Sequence, residues 1–504
     1  MQPVVSVTQM RASDVSTIAR GVPARELLRR AGEAIFAAVE REAQWRAPVG
    51  IVCGAGNNAG DGYVLALLLH KRGVDCTLYR VGERCSPDGA WYLERCRERG
   101  IPERTGLAPD ECRTVVDCIF GTGFHGVPEG AERRAIEAIN AAHARGAFVV
   151  SVDINSGLNG DTGLGETVVQ SDLTVSLGAF QPGHFLAMAK DVMRRKTACD
   201  IGIEPVGEPY WLLEAGDLRR ALKSRKNYSN KSTYGYVALV GGSERYGGAI
   251  RLANLAACAM RSGAGVVQLA VPRSLYPVVA PMLLESTLYP LSDADGALRF
   301  VPAEFDALMS RVRLIAFGMG VGGGGETRRA VTYLLEHYDG VLLLDADGLN
   351  ALAELPPELL ARKRCRLIVT PHLLEFSRLC GKTRQEISSA PIDCARDYAR
   401  RAGAIVLLKG STTVVTDGET VYLTDRGCAG MATAGSGDVL SGVAAALCAA
   451  NRDDLLFATA AAAYVNGYAG ELAERRNGAI SMLASDTAGA LREAVMELSR
   501  EETV

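Results

Sequence analysis

The chain of 504 residues predicts two consecutive α/β domains, each built on a parallel sheet. Three observations carry that expectation. Apolar runs of strand length alternate with helical patterns along the chain. The 55 glycines cluster directly after those runs. A stretch of prolines, mixed charge and polar residues breaks the alternation once, near the middle.

In the first half the strand-like runs are VGIVCG (49–54), RTVVDCIFG (113–121), GAFVVSVD (146–153) and DLTVSLG (172–178). Between them, residues 62–72 and 132–144 repeat apolar side chains every three or four positions, the period of an amphipathic helix. Alternation of this kind predicts a Rossmann-like, three-layer αβα domain. The texture changes between 204 and 233, and the boundary is set there, giving domains 1–215 and 216–504. The second half then runs GYVALVGG (235–242), GVVQLAVP (265–272), VRLIAFGMG (312–320), VLLLDADG (341–348), RLIVTPH (366–372) and AIVLLKG (404–410). TVVTDGETVYLTD (413–425) reads as a hairpin turning at Asp417-Gly418. From Gly437 the chain is alanine-rich and helical in pattern.

Composition narrows the class. A net charge of −3 gives no sign of a nucleic-acid partner. No apolar run approaches the length that spans a bilayer, and the opening residues lack the pattern of a signal peptide. The 13 cysteines are scattered, without zinc spacing, which suits a reducing compartment. A soluble cytoplasmic protein is the expectation.

The segment CGAGNNAGDG (53–62) follows a strand and opens a helix, so its backbone amides are placed to hold an anion. As a bare string this is weak evidence, and a glycine turn without a ligand is the alternative. Two later strands also end in an acid and a polar turn, VVDCIFGTGFHG (115–126) and VSVDINSGLNGDTG (151–163). Loops at the carboxyl ends of neighbouring parallel strands converge on one crevice. Asn58, Asp117 and Ser156 there offer hard oxygen ligands of the type an alkali or alkaline-earth cation takes. Asp117 and Asp153 as plain strand-end caps are the other reading.

At these residues the first half resembles the NAD(P)H-hydrate epimerase family. Its opening is echoed by VTQMRASD and RRAGEAIF, and its motifs by NNAGDG, VDCIFGTG and DINSG. The resemblance implies that Asn57, Asn58, Ala59, Gly60 and Asp61 bind the hydrate. It extends that role to Gly121, Thr122, Gly123, Phe124, His125, Gly126 and Val127, with Asp153 on the same ligand. It implies a potassium ion on Asn58, Asp117 and Ser156, with Asp117 also the proton-transfer residue. Ala59 stands where the family has glycine, Asn155 where it has proline, and Gln181 where it commonly has lysine.

In the second half, TAGSGDVLSG (433–442) places Asp438 in the first turn of a helix, beside amides that can form an anion hole. Asp438 could take a proton from a substrate hydroxyl; a helix-capping aspartate is the bland alternative. His372 alone reads as a loop histidine; Lys409, after a strand and before glycine and hydroxyl residues, suits phosphate or ribose contacts, with a solvated lysine as the alternative. Their setting resembles the ribokinase-like superfamily, and within it the ADP- or ATP-dependent NAD(P)H-hydrate dehydratases. The matching segments are VALVGGSERYGGAIRLA, AGVVQLAVP, FGMGVG, LLDADGLNAL, TPHLLEF, LLKGSTTVV and GSGDVLSG. The resemblance implies that Ala249, Gly320, His372 and Asp438 contact the hydrated nicotinamide nucleotide. It assigns the adenine nucleotide to Lys409, Gly410, Ser411, Thr412, Thr413 and Gly437. Asn230, Met319, Gly348 and Leu374 replace a family histidine, proline, alanine and glycine.

Together the halves imply repair of hydrated NADH and NADPH. The first would interconvert the R and S hydrates. The second would dehydrate the S form with ADP and magnesium, releasing AMP and phosphate. The partners implied are these small molecules, without nucleic acid or membrane, and a homo-oligomer is expected. A small-molecule kinase of the same superfamily is the first rival, and a purely binding first half the second. A dehydrogenase is disfavoured because neither half has a clean dinucleotide fingerprint, the GMGVGGGGE run (318–326) included.

Overall fold

A strand covered on both faces is apolar along its whole length, and that property picks out the centre of each sheet. In the computed structural model, which describes residues 1–106, 111–259 and 264–500, the chain divides into two units. One is Pro3–Tyr210; the other joins Met1–Gln2 to Trp211–Val504.

After a short opening strand, β1 (Gln2–Val4), the first unit contains β2 (Val49–Cys53), β3 (Cys76–Arg80), β4 (Glu103–Thr105), β5 (Thr114–Cys118), β6 (Phe148–Val152), β7 (Leu173–Leu177) and β8 (Lys196–Cys199). Every residue of β2, β5, β6 and β7 is buried. The sheet order is β4-β3-β2-β5-β6-β7-β8, with all neighbours parallel. From β2 the chain builds outward to β4, and from β5 it builds the other way to β8. The order therefore reverses between β2 and β5, where loops diverge and leave a crevice at the carboxyl ends. The helix Asn57–Lys71 starts at that point and is buried without a break from Asn58 to Ala66. It packs on the helix Ala24–Glu42 so closely that a Cβ on Gly32 would fall 2.4 Å from Val64.

β3, β4 and β8 were not read from the sequence. They lie toward the sheet's edges and carry Arg, Glu, Lys and Thr, and β4 is exposed throughout. An edge strand need not be apolar on both faces.

The second unit contributes β9 (Tyr210–Leu212), β10 (Tyr236–Gly241), β11 (Val266–Pro272), β12 (Thr287–Leu291), a small ribbon of β13 (Asp293–Ala294) and β14 (Ala297–Leu298), then β15 (Leu314–Met319), β16 (Val341–Leu344), β17 (Arg366–Val369), β18 (Ala404–Leu408), β19 (Thr413–Thr416) and β20 (Val421–Thr424). Its sheet order is β1-β9-β20-β19-β18-β17-β16-β15-β10-β11-β12. Neighbours are parallel from β12 across to β18. β18, β19 and β20 are antiparallel, so the hairpin forms, with Gly418 at φ +103° in its turn. Here the order reverses between β10 and β15.

The unit begins ahead of the expected 215/216 boundary because Trp211 and Leu212 already pair with Tyr422 and Leu423. Met1 and Gln2 reach the same edge, donating to Asp217 at 2.9 Å and Glu214 at 2.8 Å. The helices Ser436–Ala450 and Leu455–Asn477 are buried along most of their length. Alanine suits this, since it packs helices closely and loses no side-chain entropy.

The approach of β2 to the loop after β5 is close enough to test. A Cβ on Gly54 would lie 2.1 Å from the Ile119 carbonyl oxygen. Gly54→Ala is expected to destabilise the first unit by about 1–3 kcal/mol. In urea unfolding followed by tryptophan fluorescence, the first-unit transition should move to lower denaturant. An unchanged curve would mean that this contact is not maintained.

Candidate active sites in the two units

Three loops meet at the first unit's switch point. The turn after β2 leads into the helix Asn57–Lys71, whose N-cap, Gly56, offers no side chain. The first amides of that helix stay open to a ligand. With the loops after β5 and β6, and the helix Val7–Ala19, it encloses a cavity of about 740 Å³. Of the residues expected to bind the hydrate, Asn57, Asn58, Asp61, Gly121 to His125 and Asp153 line it. Ala59 and Gly60 do not, since they pack inward with the helix. Gly126 and Val127 also lie off the lining, beyond the loop's inward turn.

Behind the wall, Asp117 is wholly buried. Its carboxylate accepts from Ser156 Oγ at 2.6 Å, Ser156 N at 2.9 Å, Ser151 Oγ at 3.1 Å and Ile119 N at 3.2 Å. Burial raises its pKa while these donors pull it back. Expected to transfer protons, Asp117 does not line the cavity, because four donors hold it inside the loops. No cation pairs with it among the described residues. Asn58 donates to Phe120 O at 2.8 Å, the carbonyl that Ser156 Oγ also approaches at 3.4 Å, and to Val152 O at 3.3 Å, while its own Oδ1 is buried without a partner.

Asp153 ends β6 at φ +64°, a left-handed geometry that aspartate tolerates better than most residues. It accepts from Thr122 N at 2.7 Å, and His184 Nε2 lies 2.7 Å from its carbonyl. Asp61 lines the cavity, and its carboxyl makes no hydrogen bond among the described residues. Burial, then Asp153 and Asp14, raise its acid well above the usual range. Sequence reading missed Asp14, which lines the cavity with Met10, Arg11 and Ile18 from one helix face. Burial and the charge of Asp153 raise it to about 6. Gln181, where the family commonly has lysine, is buried away from the cavity lining; its Nε2 donates to Ala179 O at 2.8 Å while its Oε1 is buried without a partner.

In the second unit Asp438 sits in the first turn of the helix Ser436–Ala450. The N-cap, Gly435, at φ +92°, again supplies no side-chain cap. A Cβ at Gly437 would lie 3.5 Å from Lys409 Nζ and 3.7 Å from Asp345 Oδ2, so these groups converge. Lys409 donates to Asp345 Oδ1 at 2.9 Å and stands 4.0 Å from Glu375. Ser441 Oγ donates to Asp345 Oδ2 at 2.7 Å. Burial works against the Lys409 charge, but Asp345 and Glu375 outweigh it and hold the ammonium above its usual pKa. Burial and Asp345 raise Asp438 to about 7, with Lys409 opposing.

His372 caps the helix Leu373–Cys380, its Nδ1 accepting from Leu374 N and Glu375 N. Burial and Lys409 lower its pKa, favouring the neutral ring. Gly320, at φ +69°, is pressed against Tyr246 and Ala249, whose Cβ atoms would lie 2.8 and 3.0 Å from a Cβ there. Thr412 donates to Asp425 at 3.0 Å, and Thr413 opens β19. Gly410 and Ser411 are exposed.

The residues missed here are Asp345, Asp347, Glu375 and Ser441. DADG was visible as a motif, but not the ion pair it makes. Between its two acids Ala346 sits at φ +47°, an uncommon conformation for a residue with a Cβ. Asp347 accepts from Gly322 N at 2.9 Å, which ties this turn to the loop after β15. Among the described residues no cluster of three or more His, Cys, Asp or Glu is arranged to hold a metal.

Known proteins share both architectures. The model of the NAD(P)H-hydrate dehydratase family matches residues 237–492. That of YjeF-related protein N-termini matches residues 24–183. The bifunctional NAD(P)H-hydrate repair enzyme Nnr of Archaeoglobus fulgidus is 33% identical over 494 residues, covering 98% of each chain. The chain belongs to the family of bifunctional NAD(P)H-hydrate repair enzymes. In that family's terms, the first unit is the Rossmann-like half and the second the ribokinase-like half. A solved hypothetical protein of Streptococcus mutans, 23% identical with a TM-score of 0.51, covers 57% of this chain and all of its own, and shares the fold over that span. The ADP/ATP-dependent NAD(P)H-hydrate dehydratase of Bacillus subtilis, co-crystallised with ATP and Mg2+, is 28% identical with a TM-score of 0.49, covering 57% of this chain and 99% of its own. No helix among the described residues is long and apolar enough to cross a membrane.

The buried ion pair gives a test of the second site. Lys409→Met leaves Asp345 and Glu375 without their cation, which is expected to cost the unit about 3–5 kcal/mol at neutral pH. The loss should shrink toward pH 4, where Glu375, its pKa raised by burial, takes up a proton. Denaturant unfolding at the two pH values checks both points.

Proposed function

We propose that the family's two reactions are carried out by the residues converging at the two switch points. Residues 1–215 would epimerise the R and S hydrates, and residues 216–504 would dehydrate the S hydrate using ADP. The observation that carries this reading is Asp438, at an open helix start beside Lys409 and Asp345. A carboxyl that titrates near 7 is partly ionised at neutral pH and suited to accept a proton.

In the proposed reaction Asp438 takes the proton of the hydrate's hydroxyl, whose oxygen attacks the terminal phosphorus of ADP. AMP leaves. Hydroxide is a poor leaving group and phosphate a good one, so the ring then loses phosphate and a neighbouring C–H proton, restoring NADH or NADPH. Lys409 and the amides around Gly437 balance charge on the transferring group, and Gly410 to Thr413 hold the rest of the nucleotide. Ala249, Gly320 and His372 would hold the hydrate against Asp438. Magnesium commonly uses one or two carboxylates and the substrate's phosphates, which agrees with the lack of a three-ligand cluster. Asp345 and Glu375, beside Lys409, would supply its protein contacts, and the ion would neutralise phosphate charge.

In the first unit, the orphaned Asn58 Oδ1 and the buried Asp117 carboxylate, which pairs with no cation among the described residues, both flank the loop after β5 and suit a monovalent cation. Asn58, Asp117 and Ser156 would hold potassium, whose charge would balance Asp117. The hydrate would lie against Asn57, Asp61, Gly121 to His125 and Asp153. Thirteen free cysteines support a cytoplasmic location.

The test is recovery of absorbance at 340 nm from mixed R and S NADH hydrates with ADP and magnesium. Full recovery, beyond the S fraction, is expected. Asp438→Ala should slow dehydration by about 10²–10⁴-fold. Because the base must be ionised, the wild-type rate should fall as pH drops below about 7, and that limb should vanish in the variant. Absence of recovery with ADP or ATP would favour a small-molecule kinase instead.

A further inference from the structure

Asp14, Asp61 and Asp153 line the first unit's cavity, and among the described residues none of them is in an ion pair. Three elements deliver them: the helix Val7–Ala19, the start of the helix Asn57–Lys71, and the end of β6. Asp153 is engaged by the Thr122 amide. Asp14 and Asp61 make no hydrogen bond or ion pair with any described residue. The nearest guanidinium, that of Arg11, donates to Gly123 O at 3.2 Å. Of the other titratable groups on the lining, Asp88 is paired with Arg25, His125 lies beside Asn159, and Glu132 begins the next helix.

Asp14 is held firmly in place. A Ser6 capping box starts its helix, Asp161 accepts from Val7 N at 2.8 Å, and Ser13 Oγ accepts from Val206 N at 2.9 Å. An acid left unpaired on so well anchored a helix has no evident structural purpose.

We propose that Asp14 is a catalytic residue of the epimerase reaction, accepting the hydrate's hydroxyl proton while the neutral acid of Asp61 donates to the ring nitrogen. The proposal rests on reading this cavity as the epimerase site. Three like carboxyls in a partly dry cavity do not all ionise together. Asp61 is the more deeply buried and the more strongly raised, whereas Asp14 titrates near 6. Asp14, on the more open part of the lining, ionises more readily than the buried Asp61, so the pair presents one base and one acid. Asp117, enclosed by its four donors, is not placed to reach a ligand in the cavity.

The chemistry balances without a further reactant. Water added to a dihydronicotinamide leaves its hydroxyl on the carbon next to the ring nitrogen. Asp14 takes the hydroxyl proton and the O–H electron pair becomes a C=O bond. The C–N bond breaks onto nitrogen, which takes the Asp61 proton. Rotation turns the other face of the aldehyde to the nitrogen. The reverse transfers close the ring with the carbon inverted, returning Asp14 to carboxylate and Asp61 to acid.

The experiment follows conversion of purified R-NADH hydrate to S by chromatography, using the full chain without ADP. Asp14→Asn is expected to lower kcat at least about 100-fold, with KM within about threefold. The acidic limb near pH 6 should disappear. Asp14→Glu should recover at least about tenfold of the lost rate. The Asn variant's Tm should equal or exceed that of the unaltered chain, because a repelled charge has been removed. The role of Asp14 is overturned if Asp14→Asn keeps kcat within about threefold, changes KM alone, or lowers Tm together with Asp14→Glu. No R-to-S conversion by the unaltered chain would overturn the epimerase reading and the role together.

Discussion

One buried aspartate at the end of a central strand, bound by donors from distant segments, organises each crevice. In the first unit Asp117 gathers the loop after β5 and the turn after β6 through Ile119, Ser151 and Ser156. In the second, Asp345 fastens the end of β18 through Lys409 and the long helix through Ser441. Parallel strands that diverge at a reversal of order open a gap, but they do not fix the loops around it. A carboxylate with its acceptor sites filled does, because an unmade hydrogen bond in so dry a place is costly. The groups free to meet ligands are arranged around these two anchors.

The crevices differ in how charge is balanced. Lys409 stands among Asp345, Glu375 and Asp438, and its charge opposes the rise that burial imposes on Glu375 and Asp438. Asp438 is raised mainly by burial and Asp345, and Lys409 keeps it from rising further. In the first unit Asp14, Asp61 and Asp153 have no such partner among the described residues, and proton uptake relieves their repulsion. In the proposed reactions the same residue type thereby serves as a base in one unit and within an acid–base set in the other.

How much was legible in the sequence follows from which interactions are local. β2, β5, β6 and β7 were readable because burial on both faces makes them apolar from end to end. β3 (CTLYR) and β8 (KTAC), nearer the edges, keep polar and charged residues and gave no such signal. The loops NNAGDG, VDCIFGTG and DINSG were found, and most of their residues line the cavity, yet Asp117 was expected at the reacting centre and lies behind it. Its four donors come from segments up to 39 residues away, and no local pattern announces them. Asp14 stood inside a recognised motif, but only the fold brings it to Asp61 and Asp153. Asp345 likewise owes its place to Lys409, 64 residues on, and Ser441, 96 residues on.

The helix Asn57–Lys71 is buried without interruption across its first turns while its leading residues face the cavity. Nearly every side chain there must therefore satisfy a packing neighbour, whatever it does for a ligand. Gly60, against Leu28, and Gly62, against Ile51 and Cys118, leave as little room for change as the buried Asn58 and Asp61. Resistance to substitution along this stretch would be the same for a residue that meets the hydrate and for one that only fills the interior. Mutational sensitivity in this helix is thus a poor guide to contact, and measurements that separate loss of folding from loss of turnover are the informative ones.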